Sequence, residues 1–308
     1  MGRAPAFKRE HVPGTDCKFA LHGQYSRQLV WFRGPIAQKV RASALRARSR
    51  LVLQRVVGGL VSVSYGDGES ASRFVDRAMA RYLEMHPEDG HAAKSYPYDV
   101  VRLAKTLEWL QELSPRGLNI LELGGYGVAS YVIEQRFPQN RYVRTTTDLR
   151  KDLPFADGSF DVVLNMEVIE HVADLEYAHA TILSGVLHCL GEVRRLLKVG
   201  GFMLLTTPNA CSLLVLDRAL RLEPPWQYPF HFREFTPTEI QILVEQAGLH
   251  VRRFRTEYVW SSPEQTQSLF EFLRSDNRDV DNRGDDMFLL AQKAAPPPNP
   301  RGKLDLPI

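Results

Sequence analysis

The spacing of apolar and polar residues changes several times along the chain, and each change marks an element. From Glu69, the residues Ala71, Phe74, Val75, Ala78, Met79, Tyr82 and Leu83 recur at intervals of three and four, one face of an amphipathic helix that Pro87 and Gly90 close. A second helix is expected over Val100 to Leu113, stopped by Ser114-Pro-Arg-Gly117. The period then shortens. Leu118-Asn-Ile-Leu-Glu-Leu123 reads as a buried strand running straight into the turn Gly124-Gly-Tyr-Gly127. Beyond it come a helix (Ala129 to Arg136), strands over Arg141 to Thr147 and Phe160 to Asn165, a long helical stretch (Val168 to Leu197) and a strand over Phe202 to Thr207. Thr236-Pro-Thr-Glu239 sets an N-cap, a proline at the first helical position and a glutamate at the third, and Gly248 ends that helix. Leu249 to Thr256 and Asp286 to Gln292 supply the last strands. Such alternation predicts an α/β fold with a doubly wound, mostly parallel sheet, without internal repeats.

Composition narrows the class. With 44% hydrophobic and 24% charged residues among 308, collagen-like, coiled-coil and wholly disordered chains are excluded. The uncharged run Val56 to Gly66 carries three glycines and is too short for a bilayer span, so no transmembrane helix is expected. Cys17, Cys189 and Cys211 are too scattered for a disulfide framework or a metal clip, which suits a reducing, cytoplasmic compartment. The net charge of +3 hides a basic start: residues 1 to 56 hold 12 Lys/Arg against Glu10 and Asp16. That segment reads as a transit peptide, an arm for nucleic acid or acidic lipid, or a solvated face docking on the acidic remainder. The opening Met-Gly-Arg-Ala-Pro-Ala carries neither a myristoylation signal nor a secretory one. Expected boundaries are a basic extension over 1–66, a helical cap over 67–117, a main domain over 118–293, and a proline-rich tail over 294–308.

A glycine turn after a first strand lets backbone amides approach a ligand closely. The turn here satisfies neither the dinucleotide fingerprint nor a phosphate loop. An acid, Glu122, precedes it instead, placed to accept hydrogen bonds from a positively charged ligand group. The alternative is a turn needed only for tight strand-to-helix packing.

Three segments in order carry a family resemblance: Leu121-Glu-Leu-Gly-Gly-Tyr-Gly127, Asp152-Leu-Pro-Phe-Ala-Asp-Gly-Ser-Phe-Asp-Val-Val163 and Val193-Arg-Arg-Leu-Leu-Lys-Val-Gly-Gly-Phe202. They resemble the glycine loop and the approaches to the fourth and fifth strands of class I S-adenosylmethionine (SAM) dependent methyltransferases, of the type-11/type-23 kind. The resemblance implies a Rossmann-like sheet and SAM as cofactor. It also implies that Glu122 contacts the methionine amino group, that Gly124, Gly125, Tyr126 and Gly127 line the methionine and ribose, and that Asp148 reads the ribose or adenine. Two departures stand out. Tyr126 occupies a place where a glycine is expected. Asp148 lies only 21 residues after Gly127, so one strand and one helix look missing, and Asp148 closes either the second strand or the third.

Methyl transfer from a sulfonium is an in-line displacement, served by aligning a nucleophile and removing its proton. Glu167, Glu170 and His171 form E-x-x-E-H; on a helix they would share one face, a half-site for a divalent cation that His231 would complete. This resembles both the small-RNA ribose 2′-O-methyltransferases and the ubiquinone-pathway O-methyltransferases. Mg²⁺, Mn²⁺ or Zn²⁺ there would lower the pKa of an acceptor hydroxyl. The alternatives are a metal-free base, His171 or His231, and a purely structural role for the segment. Asn165 and Asn209 sit at strand ends, where such sheets bind ligands or make ordinary turns. Residues Tyr177 to His188 read as an inserted lid or partner surface, and Trp226 and Tyr228 either pack in the core or stack on an acceptor. Arg283 to Lys293 resembles the last strand of methyltransferases of glycan and lipid-sugar assembly.

The reading is a SAM-dependent O-methyltransferase of a small-molecule or glycan hydroxyl. An RNA ribose 2′-O-methyltransferase using the basic start is the second reading, and a catalytically silent scaffold on the same fold is the third.

Overall fold

The computed structural model describes residues 69–174 and 183–295. Every described residue belongs to one compact unit, which falls within Val61–Ile308. The basic N-terminal segment, the first half of the insertion expected over Tyr177 to His188 and the proline-rich end from residue 296 lie outside the described residues.

Helix α1 (Ala71–Met85) starts where the Ser70 hydroxyl accepts a hydrogen bond from the Arg73 amide. Helix α2 (Gly90–Glu112) is ten residues longer at its start than the apolar spacing predicts, because Asp89 caps it at the Ala92 amide and Pro97 is carried inside the helix. A proline within a helix normally ends the pattern being read, and here it hides the first turns. Strand β1 (Asn119–Leu123) follows, then α3 (Val128–Arg136), β2 (Arg141–Thr145) and β3 (Phe160–Met166). The expected long helix over Val168 to Leu197 does not form as one element. The chain makes a 3₁₀ turn, Ile169–His171, and resumes as α4 (Ser184–Leu196), whose Val186 is buried rather than held out as a lid. The rest is β4 (Leu197–Pro208), α5 (Leu213–Leu220), α6 (Pro237–Gln246) with its Thr236/Glu239 capping box, β5 (His250–Glu257), α7 (Gln267–Ser275) and β6 (Asp286–Gln292).

These strands form one six-stranded sheet in the order β2-β1-β3-β4-β6-β5, with β6 antiparallel to both its neighbours. Since β2 pairs in parallel directly with β1, Asp148 follows the second strand, and it is the third strand that is missing among the described residues. The connection from β2 to β3 steps over β1, so the strand order reverses between β1 and β3, where doubly wound sheets open a ligand crevice.

Alternation along the strands splits the core into two layers. Ile120, Val162, Leu164, Leu204, Phe288 and Leu290 pack against α1, α2 and α3; Leu121, Val163, Leu205 and Leu289 pack with residues of α4 and α6. Trp109 of α2 anchors the first layer. Its ring lies 5.9 Å from that of Phe288 and carries the Arg253 guanidinium at 4.0 Å on its face. Trp109→Ala is expected to lower unfolding free energy by about 3–5 kcal/mol in denaturant titration; a loss under about 1 kcal/mol would mean that the α2 layer contributes little.

Candidate cofactor and acceptor site

The candidate residues gather at the C-terminal edge of β1, β3 and β4. Glu122 is buried, 5% exposed, and its carboxylate is fully engaged. One oxygen accepts from the Ser130 hydroxyl at 2.7 Å, the other from Arg144 Nε at 3.0 Å. Burial pushes the carboxyl upward, opposed by those two donors. Ser130 also accepts from the Gly127 amide at 3.3 Å, tying the glycine turn to the acid. Gly124 has φ of +100°, a conformation that side chains resist, and its amide donates to the Thr145 carbonyl at 2.9 Å. A Cβ added at Gly127 would meet nothing within 4 Å, so this turn leaves open space above the end of β1. Tyr126 is half exposed, and the Arg144 guanidinium sits 4.9 Å from its ring centre. Asp148 is held by a two-pronged bond from Arg150, 2.9 Å at each oxygen, which keeps its carboxyl below the usual value.

One strand across, at the end of β3, the E-x-x-E-H segment is bent rather than helical. Glu167 has φ of +53°, an unfavourable conformation of the kind that clusters at functional sites. It is locked there by two bonds to Thr206: its amide donates to the carbonyl at 3.0 Å and its carboxylate accepts from the hydroxyl at 2.7 Å. The Glu167 carboxylate faces the buried Arg102 of α2, which Asp99 binds at 2.8 Å. Glu170, His171 and His231 do come together: one ligand atom from each lies within 4.8 Å of the others, and Glu167 is not part of that group. One Glu170 oxygen accepts from the Thr207 hydroxyl at 2.9 Å; the other is buried without a hydrogen-bond partner among the described residues. Burial, and next the Glu167 charge, pushes the Glu170 carboxyl well up. Burial, and then neighbouring His231, pulls His171 down, which favours the neutral ring. His231 Nδ1 contacts the Glu234 carboxylate at 2.8 Å, which orients the ring and frees Nε2. The Phe232 amide donates to the Glu170 carbonyl at 2.9 Å, stapling the His231 loop to the 3₁₀ turn.

Two further buried groups have no partner among the described residues. The Asn165 side chain is 0% exposed and neither its oxygen nor its nitrogen is hydrogen-bonded. Asp286, at the start of β6, has both oxygens buried and unpaired near Arg102. An unsatisfied buried amide costs about 1–3 kcal/mol, so such groups mark places where a ligand or an ordered water completes the set. Trp226 and Tyr228 are exposed, which removes the core-packing reading of both. Of the residues the sequence did not single out, Glu234 stands three positions from His231 and was legible as a partner. Arg144, Arg102 and Asp286 were not, because they reach the site only through strand register and helix packing.

A methyltransferase-domain family model matches residues 39–253. The chain belongs to the class I SAM-dependent methyltransferases. SAM is therefore its cofactor, and the open glycine turn, the buried Glu122 and the free space beyond Gly127 fit that molecule. Among curated relatives, a ubiquinone biosynthesis O-methyltransferase of Ruegeria sp. (strain TM1040) is 34% identical over 134 residues, 41% of this chain and 48% of that one. A probable SAM-dependent methyltransferase of Mycolicibacterium smegmatis is 37% identical over 101 residues, 32% of each chain. This chain thus spans less than half the length of these relatives. A SAM-dependent methyltransferase from Archaeoglobus fulgidus superposes with a TM-score of 0.46 at 14% identity, covering 67% of this chain and 100% of that one. No helix among the described residues is long and apolar enough to cross a membrane.

The state of Asp286 gives a test. Burial, then the nearby Glu167 charge, pushes its carboxyl well above the ordinary value. Above the unfolded pKa of about 3.9 the unfolded chain releases a proton that the fold retains, so stability falls as pH rises. Asp286→Asn lacks this proton. Its stability in denaturant titration should therefore gain on the wild type as pH rises above the ordinary carboxyl range, by up to about 1.4 kcal/mol per pH unit; a constant difference would mean an ionised, compensated Asp286.

Proposed function

We propose that the protein transfers the methyl group of SAM to a hydroxyl oxygen of a small-molecule or glycan acceptor. The observation that carries this is the convergence of Glu170, His171 and His231 beside the crevice between β1 and β3. The acceptor oxygen attacks the methyl carbon, the carbon–sulfur bond breaks, the sulfur leaves as a neutral thioether, and the hydroxyl gives up its proton. Methyl transfer by this route needs the oxygen aligned with the carbon–sulfur bond and made nucleophilic.

Glu170, His171 and His231 are suited to hold Mg²⁺, Mn²⁺ or Zn²⁺. The supports are the unpaired Glu170 oxygen, the neutral His171 ring and the Glu234 carboxylate behind His231, an arrangement common behind metal-bound imidazoles. A divalent cation there supplies Lewis acidity, which lowers the pKa of the acceptor hydroxyl. The neutral His171 ring also favours a second reading, in which His171 takes the proton directly. The buried Asn165 amide, without a partner among the described residues, supports its reading as a cofactor-binding residue.

The acceptor has an apolar or ring-shaped body. Aromatic rings lead outward from the centre: His171 to His231 at 4.8 Å, His231 to Tyr228 at 5.3 Å, and Tyr228 to Phe230 at 5.3 Å. Phe230 and Phe232 are exposed beside them, and such faces stack on phenols or on sugar rings. The relatives named ubiquinone biosynthesis O-methyltransferases support an oxygen acceptor.

The test is methyl transfer from labelled SAM to a panel of catechols, phenols and sugars. Glu170→Ala and His171→Ala are expected to lower kcat by about 10²-fold or more while SAM affinity stays within about threefold. EDTA should have the same effect, reversed by added Mg²⁺, Mn²⁺ or Zn²⁺. Full activity in EDTA removes the cation and leaves His171 as the base; full activity of both variants removes the site.

A further inference from the structure

Arg144 is the unusual neighbour of the glycine turn. It projects from β2 one strand over from Glu122, its register partner in the parallel pair. Its guanidinium spans two acids, Glu122 through Nε and Glu134 of α3 through Nη2, and its face rests on the Tyr126 ring. Nη1 has no hydrogen-bond partner among the described residues, and the side chain is about one-fifth exposed (22%). Tyr126 is the residue standing where the family resemblance expects glycine. In this structure it shelves the guanidinium at the mouth of the turn.

We propose that Arg144, held by Tyr126 and Glu134, is a SAM-binding residue that takes the carboxylate of the cofactor's methionine end, while Glu122 beside it takes the ammonium. The inference rests on SAM being the cofactor. The methionine end of SAM is a zwitterion, and a Glu–Arg pair in adjacent register offers the complementary pair of charges. Glu122, Glu134 and Arg144 together carry one negative charge when ionised; SAM carries one positive charge in sum, from its sulfonium, ammonium and carboxylate. The local field therefore matches the whole ligand as well as each of its ends. An arginine presents its donors as a rigid fork, so two can stay on the protein acids while a third edge meets an incoming carboxylate.

This accounts for two features that otherwise conflict. A buried Glu122 already bonded by Ser130 and Arg144 would be a poor ammonium site if Arg144 merely neutralised it. With a ligand carboxylate on Nη1, the added charges pair with each other across the Glu122–Arg144 contact. Tyr126 in place of glycine costs the turn some freedom, and in return it fixes the orientation of the guanidinium.

The experiment is calorimetric titration of the full-length protein with S-adenosylhomocysteine (SAH) and with its decarboxylated analogue, which keeps the ammonium and lacks the carboxylate. The wild type should prefer SAH by about tenfold or more, the effect of one charge-assisted hydrogen bond. In Arg144→Gln the preference should shrink to within about threefold, with the analogue's affinity little changed, which also reports that the crevice is intact. Should Arg144→Gln not fold, Arg144→Lys, which keeps the charge without the fork, should lose part of the preference. Equal affinities in the wild type, or an undiminished preference in the variant that folds, overturn the proposal. Failure of the wild type to bind either ligand is a different result: it removes the cofactor itself, and this assignment with it.

Discussion

Most of the site follows from burying one carboxylate under the end of a central strand. An ionised acid taken out of water is costly unless donors meet it. Glu122 is met by Ser130 from α3 and Arg144 from β2, so the strand, the helix after it and the neighbouring strand are all tied to a single side chain. The glycine turn has little choice of path between these ties. Gly124 must take a positive φ to send its amide to Thr145, and Gly127 must stay extended for its amide to reach Ser130. The open space above the turn results from these constraints.

A second set of buried charges shapes the facing side of the crevice. Thr206 and Thr207 are consecutive on β4, so their side chains point to opposite faces of the sheet. Thr206 holds Glu167 toward α2 and Arg102, whereas Thr207 holds Glu170, which lies with His171 and His231. The positive φ at Glu167 is what allows two acids three residues apart to be presented in these two directions. The loop carrying His231 is then fastened through the Glu170 carbonyl and the Glu234 carboxylate. Strain at one residue thus organises both the acid layer beneath α2 and the cluster proposed to receive the acceptor.

Where a property is local, the sequence carried it. The aliphatic runs of β1, β3 and β4 and the Thr236 capping box are recognisable because neighbours a few residues apart define them. The helix expected over Val168 to Leu197 failed for the same reason: its apolar residues have helical spacing, yet the chain leaves the 3₁₀ turn in an extended conformation at Val172. Pro97 concealed the start of α2. Glu122, Glu170, His171 and His231 stood out by residue type and order, yet the pairing of Glu122 with Arg144 depends on strand register between positions 22 apart in sequence. The nearness of Asp286 to Arg102 depends likewise on α2 crossing a strand almost two hundred residues later. Neither has a local signature.

The central claim is that the crevice between β1 and β3 holds SAM through Glu122. Isothermal titration of the wild type and Glu122→Ala with SAM tests it most directly. One site of micromolar affinity, weakened at least tenfold by the substitution while the folded melting transition is kept, is the predicted result. Undiminished binding by Glu122→Ala, or no binding by the wild type, would contradict the account.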